Sequence, residues 1–442
     1  MLKGLSRTPK PVIFLIVALL CPTEFSLYIS GLRIPPHRLA LILLMPLALW
    51  RLVMQKNLKI RAFDVAFILF NVWTVAVFTY HHGSPEGLVN GGSLALDGLG
   101  SYLVARTWIR DKEIFEATLR AIGYAIAVAA LIALPETLFG QIYTHDALKA
   151  LTGYAHPTGV ESRLGLTRAY GTFDHPIHYG AFCASMFSLF WYAGTSAADR
   201  RKRAALLIGA TILGLSSAPM LCLLLQAAML IWERYTRGTT NRTAITLAVL
   251  VGLYFGASLV MNRTPFNFIA TGMTLDPSTG FYRIQIWDNG LDNVFGSPWL
   301  GIGMNDWERP QWMFSSTVDA FWLLVAMRQG IPALLLLMGG IALMIRAVVK
   351  RGLRHPDFAV RRFARGWIMS LIALSMIGIT VHFWNVLFAF FFFFIGLGGW
   401  MGDATWARKT AKSKVLSRRQ PAPSALSPSY SAGGFGEMPQ LA

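Results

Sequence analysis

Runs of roughly 20 apolar residues recur along most of this 442-residue chain. A run of that length can cross the hydrocarbon core of a bilayer as an α-helix, at about 1.5 Å per residue. Lipid offers the backbone no hydrogen bonds, so these runs must be helices rather than open strands. Only 14% of the residues are charged, compared with about 25% in soluble domains. The sequence therefore predicts an all-α polytopic membrane protein.

About twelve transmembrane helices are predicted, on the criterion of length just given. A Ser-Ser-Ala-Pro stretch that ends at Pro219 divides residues 204–232 into two helices, since proline disfavours helix in the residue before it. Gly330 and Pro332 are expected to bend one long span without ending it. The predicted spans are 11–31, 38–50, 63–80, 91–105, 119–138, 177–194, 204–217, 219–232, 243–261, 317–345, 366–383 and 386–401.

The net charge of +18 follows the predicted topology. When loops alternate from a cytoplasmic N-terminus, all but nine of the 40 Lys and Arg residues fall on the inner side. This distribution obeys the positive-inside rule. It predicts a multi-pass protein of the bacterial inner (plasma) membrane with both termini in the cytoplasm. No basic surface with base-reading groups is evident, so a nucleic-acid partner is not expected.

Two external connections are much longer than the others. Loop A (139–176) and loop B (262–316) interrupt a transmembrane domain that extends over residues 1–401, and both are predicted to be periplasmic. Loops longer than about 15 residues are uncommon in compact proteins and are often functional. The tail, 402–442, is rich in Ser, Pro, Ala and Gly and is predicted to be disordered and cytoplasmic.

The end of loop A combines an arginine with ionisable neighbours just before a predicted span. Arg168, Asp174, His175 and His178 lie within eleven positions of one another, at 168–178. Arginine suits a bidentate grip on phosphate oxygens. The alternative is structural: Asp174 would cap the helix that begins near Pro176, and Arg168 would contact lipid headgroups.

Loop B contains a predicted short helix, 279–295, on which Arg283 and Trp287 lie one turn apart. Gly301 and Gly303 follow, and their backbone amides could form a concave nest for an anionic group. The alternative is a belt of interfacial aromatic residues with an arginine that extends toward the headgroups.

Asp319 and Arg328 lie in or at the top of the predicted span 317–345. Ionisable groups at membrane depth are costly and usually functional. Asp319 adjoins loop B, where it could accept a proton. Arg328 should lie roughly 13 Å deeper on the opposite helical face, so it is expected to pair elsewhere as a brace. No nucleotide-binding or metal-binding motif is present, and the three cysteines show no metal or disulfide spacing.

Three stretches, in this order and spacing, resemble the superfamily of O-antigen ligases and of O-antigen and exopolysaccharide polymerases. The resemblance covers roughly residues 165–340 by motif and is topological elsewhere. The matching elements are Arg168 to Pro176 with Gly171 and Phe173, the serine-rich break from Leu215 to Met220, and Arg283 to Trp287 followed by Pro298, Gly301 and Gly303.

The resemblance departs from the ligase pattern at two positions. Ligases usually have a histidine where this chain has Asp319, eleven residues before the aligned Gly330, and often a glutamate at the position of Arg328. The present pattern looks more like the exopolysaccharide polymerase branch. Polymerase is therefore the favoured interpretation, and ligase-type transfer to another acceptor stays open.

The resemblance implies a metal-independent membrane glycosyltransferase without cofactors. Its donor would be an undecaprenyl-diphosphate-linked oligosaccharide. Arg168 and Arg283, with Arg163 as a third candidate, would bind the diphosphate. Asp319 would be the catalytic base, with His175 as the second candidate. The aromatic residues expected to bind sugars are Tyr282, Trp287, Trp307 and Trp312.

The bilayer, a chain-length regulator and a flippase of the same pathway are the expected partners. A second class of function is a transporter or flippase, because twelve helices with both ends inside are common among transporters. Transporters usually concentrate polar sites near the bilayer midplane, in repeat pairs. Here the polar residues concentrate in two external loops, which disfavours that alternative.

Overall fold

The structure is a computed structural model that describes residues 7–29, 32–55, 58–154, 159–240, 245–246 and 277–403. Three predictions lie wholly or largely outside these residues. They are the span 243–261, the first part of loop B (262–276), and the tail from residue 404 onward.

The described chain is mostly helical. Its helices are α1 (Lys10–Leu20), α2 (Pro36–Met54), α3 (Ala62–His82), α4 (Glu86–Ala95), α5 (Ser101–Trp108), α6 (Lys112–Phe139), α7 (Tyr143–Thr152), α8 (Pro176–Ser185), α9 (Phe187–Ala193), α10 (Ala197–Leu213), α11 (Ser217–Tyr235), α12 (Pro277–Gly296), α13 (Phe321–Arg351), α14 (Phe358–Ile377) and α15 (Asn385–Leu397). Short 3₁₀ turns cover Thr23–Phe25 and Gly399–Gly402, and a π-helical turn, Leu96–Gly100, joins α4 to α5.

Two small antiparallel hairpins complete the secondary structure of the described residues. Strand β1 (Leu27–Ile29) pairs with β2 (Leu32–Ile34), and β3 (Ser162–Arg163) pairs with β4 (Leu166–Thr167). The second hairpin lies in predicted loop A and includes Arg163, one of the predicted diphosphate ligands.

Within the described part of the chain, five helices are long and apolar enough to cross a membrane, by length and composition. They are α2, α3, α6, α13 and the segment Asn385–Gly402 that contains α15. These helices agree with a multi-pass membrane protein. The count of twelve spans, the periplasmic side of the two loops and the orientation of the termini stay predictions.

The segment Asn385–Gly402 forms the centre of the bundle. Its apolar window is 94% buried inside the protein, compared with 33% for α2 and for α13. A helix that is apolar on every face is either surrounded by other helices or exposed to lipid, and the burial of this segment shows the first arrangement. The run of phenylalanines in α15 supplies that surface and packs against aromatic rings of α3 and α8.

The predicted helix breaks are present. Residues 204–232 form two helices, because α10 ends at Leu213 and α11 begins at Ser217. The long helix α13 continues through Gly330, whose φ of 81° interrupts the helical backbone. A β-carbon at Gly330 would lie 2.1 Å from the Trp299 carbonyl oxygen. This close approach explains why the bend occurs at a glycine.

A buried ion network lies near the end of the described chain. Arg106 of α5 is fully buried and donates to Asp64 of α3 and to Asp403, at 2.9 and 3.1 Å. Arg110 donates to the same Asp403 carboxylate at 2.7 Å. The network therefore joins two early helices to the residue that follows the last one.

Candidate functional site

The segment that carries Arg168 is fixed by its neighbours' backbone and side-chain groups. The Glu136 carboxylate, near the end of α6, accepts the backbone N–H groups of Tyr170 and Gly171, at 3.0 and 2.8 Å. Ala169 donates its N–H to the Leu213 carbonyl at the end of α10, at 3.0 Å. These bonds hold the segment against the break between α10 and α11.

Gly171 is required at its position by backbone geometry. Its φ is +60°, in the left-handed region that glycine adopts without strain. A β-carbon there would also lie 3.3 Å from the Ala129 carbonyl oxygen of α6. The Gly171 that the family resemblance singled out therefore lets the chain approach α6 closely enough for the Glu136 bonds.

Arg168 is 2% exposed and points into the break between α10 and α11. Its Nη2 donates to the Ser216 hydroxyl at 2.8 Å, and its Nη1 pairs with Glu161. Burial lowers the pKa of Arg168, and the nearby Arg163 acts in the same direction, whereas Glu161 opposes both. Its Nε has no hydrogen-bond partner among the described residues.

Arg163 and Arg283 reach the same break from other segments. Arg163 donates to the Leu215 carbonyl at 3.4 Å. Together with Ser216, both arginines line one small cavity. Loop A, loop B and the α10–α11 break thus bring the three predicted diphosphate ligands to one place.

Arg283, on α12, is buried, and no described residue places a carboxylate within 4.0 Å of its guanidinium. It is 7% exposed, and its Nε has no hydrogen-bond partner within the described ranges. Burial lowers the pKa of Arg283, the charges of Arg163 and Arg168 lower it further, and Asp319 opposes them. A buried cation in this setting is stabilised most by an added anion.

Asp319 precedes α13 by two residues, between the buried residues Val318 and Ala320. Burial raises the pKa of Asp319, and the charge of Arg283 partly offsets that rise. In the described portion of the chain, the Asp319 carboxylate has no hydrogen-bond donor and no cation within 4.0 Å. A carboxylate in such surroundings binds a proton more readily than one in water.

One turn of the backbone positions both Arg283 and Asp319. Trp287, on the helix of Arg283, donates its indole N–H to the Ile379 carbonyl at 2.9 Å. Phe321, the first residue of α13, donates its N–H to the Val381 carbonyl at 3.1 Å. Both groups are therefore held relative to the turn that follows α14.

His175 caps α8, and the predicted role of Asp174 as the cap was wrong. The His175 Nδ1 accepts the N–H of Ile177 at 3.1 Å, whereas Asp174 accepts hydrogen bonds from Thr23 and Asn385. With Nδ1 occupied as an acceptor, the neutral imidazole carries its proton on Nε2. In this tautomer His175 can donate a hydrogen bond, but its Nε2 cannot accept a proton.

The four aromatic residues predicted to bind sugars differ in exposure. Trp307 is 5% exposed in an apolar cluster and donates its indole N–H to the Ser316 carbonyl at 3.0 Å. Tyr282 and Trp287 are partly buried against the same cluster. Trp312 is 50% exposed, so it has the most ring surface available for a ligand. The packing of the other three stabilises loop B against α13.

The expected anion nest at Gly301 and Gly303 is not formed. Gly303 and the intervening Ile302 donate their N–H groups to the carbonyls of Arg328 and Met327, at 3.0 and 2.8 Å. A β-carbon on Gly301 would lie 2.4 Å from the Met327 carbonyl oxygen. The glycines therefore allow loop B to bond directly to the backbone of α13 near its bend.

Arg328 does not have the acidic partner expected of a brace within the described ranges. Its Nη1 lies 3.3 Å from the Met304 sulfur, and its backbone carbonyl accepts the N–H of Gly303. The residue also borders an external cavity of about 340 Å³. Its backbone, rather than an ion pair, connects α13 to loop B.

Three polar residues of this site were not among the predicted site residues. Ser216 contacts Arg168, and Glu161 pairs with it. Glu136 holds the segment that carries Arg168. The signal for Glu136 was present, since an ionisable residue inside a predicted span is unusual. Among the described residues, no group of three His, Cys, Asp or Glu side chains could hold a metal ion.

Residues 204–338 match the model of the O-antigen ligase family. The match covers less than half of the chain. It includes Ser216, Arg283 and Asp319, whereas Arg163 and Arg168 precede it. No curated protein shows significant similarity to this chain. The match confirms, for this segment, the resemblance to the superfamily of O-antigen ligases and polymerases, and it suggests glycan transfer at a membrane.

Proposed function

We propose that this protein is a polysaccharide polymerase that joins undecaprenyl-diphosphate-linked repeat units at the periplasmic face of the bacterial inner membrane. The observation that carries the proposal is the convergence of Arg163, Arg168 and Arg283 at the α10–α11 break. A diphosphate has several anionic oxygens, which a group of guanidinium ions can contact in pairs. The family match over residues 204–338 supports glycan transfer as the class of reaction.

In the proposed reaction, the bond between the anomeric carbon of the donor sugar and the diphosphate oxygen breaks. The diphosphate leaves with the bonding electron pair, and the arginines stabilise its charge. A hydroxyl oxygen of the acceptor sugar bonds to the anomeric carbon, and its proton passes to Asp319. The donor already contains the energy of the transferred bond, so the proposal requires no nucleotide or metal.

The surroundings of the two candidate bases favour Asp319. A general base works best when its pKa is near the working pH, and burial moves the Asp319 pKa in that direction. Asp319 is also within electrostatic reach of Arg283. His175 uses Nδ1 to cap α8, which leaves no lone pair for a substrate proton on Nε2.

Ligase-type transfer is the second candidate, because the matched family is described by that activity. The proposed arginine site would serve both reactions, since both release the same diphosphate. The two reactions differ in the acceptor. Polymerisation needs a second lipid-linked repeat unit, and ligation needs another glycan or lipid. The aspartate at position 319, where ligases usually have a histidine, supports the polymerase.

The test supplies purified protein in liposomes with lipid-linked repeat units alone. The units are isolated from the native host after deletion of this gene, and products are separated on a gel by chain length. A polymerase needs no other substrate, so a ladder of lipid-linked chains is expected. A parallel reaction contains Asp319→Asn, which keeps the size of the side chain and removes its basicity.

A ladder that depends on Asp319 would support polymerisation. Single units that persist until a separate acceptor is added, and then move to it, would mean a ligase. Units that cross the bilayer without any change in length would mean a flippase and would overturn the proposed reaction.

A further inference from the structure

A cavity bordered by arginines lies at the other end of α11 from the proposed site. It has a volume of about 620 Å³. Five arginines line it, together with a single carboxylate from Glu233: Arg200, Arg234, Arg237, Arg362 and Arg365. We propose that this cavity binds a phosphate-bearing anion, and that the headgroup of an anionic phospholipid is the form present in the membrane.

The charges in the cavity are not balanced by the protein residues that line it. Glu233 is 3% exposed and pairs with Arg237 at 2.8 Å, while Arg365 lies 3.8 Å from its other oxygen. Arg200 and Arg234 have no acidic partner within 4.0 Å in the described segments. The charges of Arg200 and Arg362 are close enough to repel each other. An anion with several oxygens would relieve this repulsion.

The location of the cavity matches a membrane interface. Helix α11 rises about 26 Å from Ser217 to Arg234, at about 1.5 Å per residue. The hydrocarbon core of a bilayer is about 30 Å thick. Helix α11 corresponds to the predicted span 219–232 and is not among the five helices that meet the length and composition criterion. As a crossing helix, it would place the cavity and the arginine cluster near Ser217 at opposite membrane interfaces. With the proposed active site in the periplasm, the cavity faces the cytoplasmic leaflet, where anionic lipids attract basic pockets between helices.

Much of the remaining wall of the cavity is apolar, which favours a lipid over a soluble anion. Trp191, Leu230, Ile231 and Phe358 border it, and Ile231 and Phe358 are 57% and 60% exposed. Acyl chains could lie on these side chains while the phosphate contacts the arginines. The positive-inside rule accounts for arginines on this side, but it does not require them to converge on one cavity with aromatic walls.

The test compares lipid retention by two double variants with the same loss of charge. Arg200→Gln with Arg234→Gln removes two cavity arginines that have no acidic partner within 4.0 Å in the described segments. Arg201→Gln with Arg354→Gln removes two exposed arginines that do not line the cavity. Each protein is reconstituted in phosphatidylcholine nanodiscs with and without phosphatidylglycerol, and retained lipid is measured by native mass spectrometry after gentle delipidation.

We expect the cavity variant to bind phosphatidylglycerol at least about tenfold more weakly than the control variant does. The loss of one charge-assisted hydrogen bond weakens binding by about this factor. Titration with inorganic phosphate identifies the source of the anion. Phosphate binding that only the cavity variant loses, with equal lipid retention, would support the same site for a soluble phosphate. Equal behaviour of both variants toward lipid and phosphate would overturn the proposal. The readout is binding, so it does not depend on the proposed reaction.

Discussion

Replacement of Arg283 by alanine should slow transfer strongly and leave folding almost unchanged. The rate should fall by about 10²–10³, or roughly 3–4 kcal/mol, the usual effect of removing one donor to a developing negative charge. The structure predicts a small effect on stability, because the buried guanidinium has no hydrogen-bond partner at Nε and no carboxylate in direct contact among the described residues. Its removal leaves no described acceptor unsatisfied and relieves repulsion from Arg163 and Arg168.

The assay measures initial rates of chain extension from lipid-linked repeat units in liposomes, and thermal unfolding of the same preparations. Arg283→Lys keeps a point charge but loses the planar fork, so we expect an intermediate rate. Arg309→Ala is the matched control. Arg309 lies on the same predicted loop, and its guanidinium pairs with Asp306 at 2.6 Å. This control should keep its rate.

Two results would refute this reasoning. If the rate of Arg283→Ala is within about twofold of wild type, Arg283 does not bind the diphosphate. A tenfold change in rate corresponds to about 1.4 kcal/mol, so a twofold change is much smaller than the predicted loss. A large loss of thermal stability in that variant would mean that the arginine is a structural element, and the rate could then not be attributed to chemistry.

Four further predictions concern other residues of the site and the fold. The transfer rate should fall as the pH drops through the raised pKa of Asp319. Because the charge of Arg283 lowers that pKa, the fall should occur at higher pH in Arg283→Ala. Rate–pH profiles of both proteins test these two expectations. Because burial raises the pKa of Asp319 in the folded state, this carboxyl group costs stability as the pH rises above the ordinary carboxyl pKa, and the cost is complete above the raised pKa. Asp319→Asn should therefore abolish transfer while raising the unfolding temperature near neutral pH, and the stability gain should vanish in acid. Glu136→Ala leaves two buried N–H groups unpaired, at about 1–3 kcal/mol each, and thermal unfolding should detect the loss. Gly301→Ala should also destabilise the fold, since its φ is +60° and a β-carbon would meet the Met327 carbonyl at 2.4 Å; an unchanged melting temperature would contradict the described contact.

Local features of the fold could be predicted from the sequence because their causes are local. Helical spacing predicted the short helix that carries Arg283 and Trp287, observed as α12. Pro219 and its serine neighbours predicted the break before α11, and Gly330 predicted the bend of α13. In each case the residue itself limits the backbone, so no knowledge of tertiary packing was needed.

The contacts of the candidate site depend on packing between distant segments. Nothing in the sequence near Arg168 indicates that Ser216 will accept its hydrogen bond or that Glu136 will hold its backbone. Gly301 and Gly303 have the composition expected both of an anion nest and of a close backbone contact. The position of α13 decides between the nest and the close contact, because backbone carbonyls of α13 accept the hydrogen bonds of the loop B amides.

The Arg106 network can be completed only late in the synthesis of the described chain, because one of its carboxylates belongs to Asp403. Arg106 and Asp64 enter the bilayer early in synthesis, but Asp403 emerges only after every helix before it. Until then, the early helices hold two basic side chains, Arg106 and Arg110, without the carboxylate that both of them contact. The arrival of Asp403 gives both arginines their shared carboxylate, so the buried network is complete only once this residue has been made. A chain cut just before residue 403 would contain every described helix and still lack the carboxylate that Arg106 and Arg110 share.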